Sequence, residues 1–564
     1  MQQTCRNSWC KQSFEITQDD LDFYDKISPV YGGKKFLIPP PTLCPDCRQQ
    51  RRLAINEFNL YPATCDLCKK SIISQYPPGT PNIVYCRECW HSDKWDPLAP
   101  GREFDFSRGF FEQFAELRLA VPNQALDVQG TLINSDYIHF AGACKNCYLI
   151  MHADFCEDCL YGYGFKKNTS CVDGFYNLHC ELCYDCIDCH KCYGLVASQD
   201  CINCHSGWFL RDCVGCQDCI LCVGLREKNY CIENVQLSKE DYEAKKAAID
   251  LASYATYQSK KKRRKELERK HPFKAFQGNN LQNCSGNYLY NCKDARECFD
   301  CEDVESAKHC YQLVLAAKDV QDIYQYGTNL QMSYECSIVG ENSYHILFSF
   351  GCHMSSRDLS YCWYMESCKN CFGCAFMKNS RYCIFNKQYS QEEYERLVPK
   401  IIEQMKKIGE WGEFFPLQTS QFGYNLTSAH LSFPLTEQSC KKNGIPWSRY
   451  EPSPPTVTKK IPAALLPDNT KDIPDDVLNW AIECEVTKKP FKLTAQELKF
   501  YRRLSLPVPR RSWQQRHEDR LHERNPRHLW TRDCMKCGKK METTYAPERA
   551  ETVYCEECYL KEVY

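Results

Sequence analysis

The chain has little of what marks a membrane-bound, exported or globally charged protein. Its 71 Lys+Arg stand against 72 Asp+Glu, a net charge of −1, so no overall field steers it toward nucleic acid or a membrane surface. No apolar run approaches the roughly 20 residues that cross a bilayer, and the opening Met1-Gln-Gln-Thr-Cys5-Arg-Asn-Ser-Trp-Cys10 has no apolar leader. The phosphate loop G-x-x-x-x-G-K-[ST] and the dinucleotide turn G-x-G-x-x-G are both missing. His522-Glu-Arg-Asn-Pro-Arg-His528 spaces its histidines by six with Pro526 between them, which excludes the metalloprotease helix. A non-enzymatic protein in a reducing, cytoplasmic setting is the expectation.

Cysteine is what the chain has in excess: 43 in 564 residues. The number is odd and the dominant spacing is C-x2-C, which suits thiolate metal sites better than a disulfide framework. Cys65, Cys68, Cys86 and Cys89 have zinc-ribbon spacing, two knuckles closing on one tetrahedral ion, and Cys534, Cys537, Cys555 and Cys558 repeat it. Cys5, Cys10, Cys44 and Cys47 form a looser third set around a long insert, in which Thr17-Gln-Asp-Asp20 caps a short helix. About three structural Zn2+ ions are therefore expected. Ser107 is read as the cap of a helix whose Phe110, Phe111, Phe114 and Leu117 face a core.

Between these ends, short aromatic and branched stretches alternate with C-x2-C steps and with Asn, Asp and Gly. This texture predicts a parallel β-solenoid with small side chains laddering inside, although no single repeat period stands out. It occurs twice. Cys216 to Asn234 matches Cys368 to Asn386, and the match runs on into Ser238-Lys-Glu-Asp-Tyr242 and Ser390-Gln-Glu-Glu-Tyr394. The N-terminal module also returns: Phe491 to Tyr501 echoes Phe14 to Tyr24, but Cys44 and Cys47 fall opposite Ser512 and Gln515, so the looser site is lost there.

The expected fold is mainly β, a duplicated cysteine-rich parallel β-solenoid flanked by zinc-ribbon modules, with interspersed charged α-helices. Its parts are a double zinc module at 1–100, a first solenoid half with a leading helix at 101–236, and a charged helix at 237–275. A second half follows at 276–388, then a helix at 389–411, a Pro-rich arm at 412–475 carrying Pro452, Pro454 and Pro455, and a degenerate zinc module at 476–564. Solenoid cysteines are read as packed reduced thiols. The alternatives are further zinc, for example at Cys144, Cys147, Cys156 and Cys159, and an iron–sulfur cluster, for which the closing C-x3-C-P is absent. The second half decides for packing, because its cysteines thin to Cys310, Cys336 and Cys352 and Val304 stands where a knuckle needs a thiolate.

The motifs Cys44-Pro-Asp-Cys-Arg-Gln-Gln-Arg-Arg-Leu53, Trp90-His-Ser-Asp-Lys-Trp-Asp-Pro97, Tyr382-Cys-Ile-Phe-Asn-Lys-Gln-Tyr389 and Val553-Tyr-Cys-Glu-Glu-Cys558 together resemble the cysteine-rich zinc-ribbon proteins of uncultured small-genome bacteria. The resemblance implies zinc and a cytoplasmic setting and supplies no reaction. For function, two basic clusters point to a nucleic-acid partner, structured RNA or an RNA–protein particle in the first place: Lys260, Lys261, Lys262, Arg263, Arg264 and Lys265, and Arg510, Arg511, Arg516 and Arg520. Against this stands a docking role inside the protein. A protein-interaction scaffold is the competing class, and a thiol redox or metal-buffering protein the third.

Overall fold

The computed structural model describes residues 1–451 and 456–564, so Pro452, Pro454 and Pro455 of the Pro-rich arm lie outside the described residues. The fold is mainly β, 31% strand against 23% helix, and its body is a parallel β-solenoid in two halves. A repeat period does exist. Leu160 pairs with Val172 and Val172 with Tyr184, so one coil takes twelve residues. In the second half Lys318 pairs with Gln331 and Gln331 with Tyr344, coils of thirteen, before the twelve-residue step returns at Arg357 and Lys369.

Each twelve-residue coil is a square of four three-residue sides. The first residue of a side points inward and the second pairs with neighbouring coils. The third turns the corner in the left-handed conformation: Asp173, Tyr176, His179, Leu182, Asp185 and Asp188 all have φ between 51° and 57°. Asn and Asp tolerate that conformation better than other side chains do, which accounts for their abundance here. The corners are held by ladder bonds in both directions, as where Lys145 N–H donates to Cys156 O at 2.9 Å and Asn146 N–H to Ile133 O at 2.8 Å.

The inward positions explain the cysteine. Four side chains per coil share a narrow bore, so they must be small. Several also accept from a backbone N–H of the next coil: Asn168 Oδ1 from Cys180 at 2.8 Å, Asn177 Oδ1 from Cys189 at 3.1 Å, Ser198 Oγ from Leu210 at 3.1 Å. Cysteine is small and apolar and can still donate weakly. Cys180 Sγ reaches Leu178 O at 3.5 Å and Cys189 O at 3.1 Å, and the same two-carbonyl contact recurs at Cys183 and Cys189. Where one inward residue is large, its neighbours shrink. Phe165 lies beside Gly162 and Gly174, and a Cβ on either would sit 2.3 or 2.5 Å from its ring. In the second half the bore holds fewer thiols, with Leu313, Val320, Ile323 and Met365 alongside Cys336 and Cys352.

Both ends of each half are closed, which keeps exposed strand edges from templating further pairing. At the entries, the ribbon strand Val84–Tyr85 pairs in parallel with Asn123–Gln124, and its C-terminal counterpart Val553–Tyr554 with Phe273–Lys274. At the exits the last strand folds back as a hairpin and an asparagine clamps the coil before. Asn234 accepts from and donates to Val223 at 2.8 Å each, and Asn386 does the same with Ala375. Ser238 and Ser390 then cap the helices Lys239–Ala247 and Gln391–Ile408.

The helices depart from expectation in two places. The segment 237–275 holds two, Lys239–Ala247 and Tyr254–Glu268. Gly109 rather than Ser107 is the N-cap of Phe110–Ala120; the Glu410 carboxylate accepts from Phe110 and Phe111 N–H, while Ser107 bonds Asp105. The described part of the arm is packed, with Phe414, Phe415, Phe422 and Tyr424 buried against the N-terminal module and second half.

Candidate metal centres and the basic clusters

Three four-cysteine groups are built into the modules, and within each all four sulfurs lie within 4.8 Å of one another. They can hold a metal, and the geometry fits one. A tetrahedral ion with metal–sulfur bonds of about 2.3 Å places its sulfurs about 3.8 Å apart. Cys10 and Cys44 are 3.6 Å apart, Cys68 and Cys86 3.9 Å, and Cys537 and Cys555 3.8 Å. With four thiolates the shell is closed, leaving no position for water or substrate.

Local structure sets each group. Cys65 and Cys68 sit on a tight turn after the strand Tyr61–Thr64, closed by Lys69 at φ 61°; Cys534 and Cys537 sit on the same turn, closed by Gly538 at φ 74°. Cys86 and Cys555 are N-caps of the helices Arg87–Trp90 and Glu556–Val563, so the second thiol of each pair falls in a first helical turn. Backbone N–H groups point at the sulfurs: Cys86 N–H at Cys65 Sγ, 3.3 Å, and Cys555 N–H at Cys534 Sγ, 3.2 Å. Burial pushes Cys65 up, but amides of Cys68, Cys86 and Leu67 outweigh it and bring the thiol down to about 6. Cys534 is brought to about 6 in the same way, by Cys555, Cys537 and Lys536. In the third group Cys44 is the N-cap of Pro45–Arg52, with Pro45 in the first turn, and Cys5 bonds back to Gln12 across the N-terminal hairpin.

The degenerate module shows what survives where the looser four-cysteine site is lost. Cys484 keeps the knuckle turn, accepting from Lys488 N–H and donating to Lys489 O at 3.0 Å each, as Cys65 does with Lys69 and Lys70. Thr487 replaces the second cysteine of that knuckle, and Ser512 stands at the N-cap position Cys44 holds in its module, there accepting from Gln515 N–H with its side chain where Cys44 makes no such bond.

Cys144, Cys147, Cys156 and Cys159 do not form a fourth site. They are not among the gathered groups of the described residues. They are inward residues of two neighbouring coils, with the inward Ile150 and Ala153 between the pairs, and each thiol reaches its own pair of carbonyls, for example Asp154 O at 3.4 Å and Phe165 O at 3.5 Å from Cys156. The C-x2-C step here is one side of a coil and not a knuckle. Every cysteine is free of disulfide bonding. Burial pushes Cys336 up to about 12 and Cys352 well above the ordinary thiol value.

The two basic clusters are largely spent inside the protein. Arg516 and Arg520, both under 10% exposed, share Asp173 at 2.8 and 3.1 Å and reach Glu497 and Asp185 at 3.3 Å. Arg511 pairs with Glu485 and Asp519 at 2.7 Å, and Arg510 lies over the Tyr254 ring beside Asp468. In the helix Tyr254–Glu268, Lys261 pairs with Asp185, Arg263 with Glu233, and Arg264 and Lys265 with Glu523 and Glu268. Of the ten cations, Lys260 and Lys262 are the two without an ion pair among the described residues. Against the upward push of burial, the surrounding cations hold Glu523 well below the ordinary carboxylate range and lower Asp185 as well.

The N-terminal module is braced in the same way, which went unread in the sequence. Arg48 and Arg52 share Asp322 at 2.9 and 3.1 Å, and Arg51 and Arg52 reach Glu335. Asp173 and Asp185 are one coil apart, as are Asp322 and Glu335. The modules are thus crossed: the N-terminal ribbon closes the first half while its helix Pro45–Arg52 docks on the second, and the C-terminal module does the reverse.

Comparison with family models and with curated sequences gives no match. Among solved structures, one from Desulfovibrio desulfuricans G20 described as an acetyltransferase is similar at 8% identity over 44% of this chain and 65% of its own, with a TM-score of 0.11, a likeness that carries no argument.

Proposed function

We propose that the protein is a non-enzymatic scaffold whose three four-cysteine groups hold structural Zn2+ and whose outer solenoid faces meet a macromolecular partner. The carrying observation is placement. Each ribbon group lies directly beside the strand that closes a solenoid entry, so metal binding there is coupled to capping the body. Sulfur-only donors at tetrahedral spacing favour zinc over magnesium, calcium or manganese, which prefer oxygen. The solenoid thiols support this reading, since nearly all are buried in the bore and bonded to carbonyls rather than presented for exchange. Elemental analysis of the full-length protein purified without chelator tests it. Three zinc ions per chain are expected, with melting lowered by a strong chelator; a metal-free protein of unchanged melting temperature overturns it.

A further inference from the structure

The free face of the second solenoid half carries a continuous row of paired residues, one per coil: Lys293, Glu305, Lys318, Gln331, Tyr344, Arg357, Lys369 and Arg381. Rungs are about 4.8 Å apart, so the row runs about 34 Å. Five cations stand against one acid. Glu305 is held between Lys293 and Lys318 at 3.6 and 3.5 Å. Arg357, Lys369 and Arg381 occupy three successive rungs, are exposed, and have no ion pair among the described residues. Asp358, next to Arg357, is engaged by His345 at 2.9 Å. Arg357 lies over the Tyr344 ring, 5.5 Å from its centre.

The duplication supplies an internal comparison. The matching row of the first half reads Glu181, Tyr193, His205, Gln217 and Asn229 where the second has Gln331, Tyr344, Arg357, Lys369 and Arg381. The coil forms equally well with His205, Gln217 and Asn229 at the positions of the three cations, so folding does not require them. Three unscreened like charges at one-rung spacing repel, and a linear polyanion relieves that repulsion.

We propose that this row is the docking surface of the scaffold read above, and that it binds the phosphate backbone of a nucleic acid. An acidic protein is the less fitting occupant: apart from Tyr344 the row has no aromatic or aliphatic anchor, which protein interfaces use at their centres. Backbone binding needs only aligned cations and polar neighbours, and the flanking corners offer Ser355, Ser367 and Asn379. The inference rests on the scaffold reading, since the row exists only while the half is capped.

The test is fluorescence anisotropy of a short labelled single-stranded RNA with the zinc-loaded full-length protein across a salt series. The variant R357Q/K369Q/R381Q should bind at least tenfold more weakly at low salt and lose about 2 from the log–log salt slope. Lys145→Gln on the first half should change neither. Salt-insensitive binding, or a triple variant that binds like the parent, overturns the proposal, as does tighter binding of polyglutamate than of RNA. Zinc content and melting are measured on the same samples. Three ions with no RNA binding sinks this inference alone, whereas RNA binding by a metal-free protein sinks the zinc reading alone.

Discussion

The cross-bracing of the modules predicts a sharply local response to Asp173→Asn. Asp173 is ion-paired with Arg516 Nε at 2.8 Å and accepts a hydrogen bond from Arg520 at 3.1 Å, and its side chain is 1% exposed. Asn fits the corner, since it adopts left-handed backbone readily and Asp173 has φ 57°. The amide keeps one acceptor and removes the charge, leaving two buried guanidinium groups with one carboxylate partner each, Glu497 and Asp185. Removing one partner of a buried pair costs about 3–5 kcal/mol, and the retained hydrogen bond places this case near 3. That is roughly a hundredfold rise in local opening of Trp513–Glu523, read as faster amide hydrogen exchange. Asp322→Asn should do the same to Pro45–Arg52 and leave 513–523 unaltered, because Arg48 and Arg52 depend on Asp322 as Arg516 and Arg520 do on Asp173. Asp475→Asn, whose partner Arg502 is 40% exposed, should cost under about 1 kcal/mol. Unchanged exchange at 513–523 in Asp173→Asn, or equal loosening of both helices by either variant, would refute the bracing argument.

Gly162→Ala forces a methyl against the Phe165 ring and should destabilise by about 1–3 kcal/mol, with G162A/F165V recovering much of it in thermal melts. Asp127 is raised to about 7 by burial and by the Glu366 and Glu341 charges. The folded protein therefore binds that proton more tightly than the unfolded chain. Stability from this group is full below about pH 4 and lost as pH rises through 7, a cost approaching 4 kcal/mol. Asp127→Asn should flatten that decline and leave melting near pH 4 unchanged; parallel pH profiles contradict it. Cys537, the exposed member of the C-terminal group, should when changed to Ser leave two metal ions per chain and loosen 530–564 in hydrogen exchange, with the Cys65–Cys89 ribbon still loaded.

The four-cysteine groups were readable because ribbon spacing has one physical cause, and the duplication because a hairpin, an asparagine clamp and a serine cap recur in the same order in Cys216–Ser238 and Cys368–Ser390. The basic clusters misled because charge density in a sequence carries no partner. Asp173, Asp185 and Glu523 lie far from Arg516 and Lys261 in the chain, and nothing local says they meet. The row Arg357, Lys369, Arg381 was missed for the opposite reason: its members are twelve apart and look isolated until the coil length is known. That length was hidden by a coincidence. C-x2-C is both a metal knuckle and one side of this solenoid, so the run Cys180 to Cys192 reads as a cluster although each thiol is a separate rung. A knuckle ends after two cysteines and lets the phase go. From Cys144 to Cys231 every cysteine holds one phase of three, and the phase is kept through Ile150, Phe165, Leu195 and Leu210 where cysteine is replaced. An ion has no use for Leu at a ligand position, whereas a bore filled by packing accepts it, so persistence of the phase across such replacements separates the two causes of the same spacing.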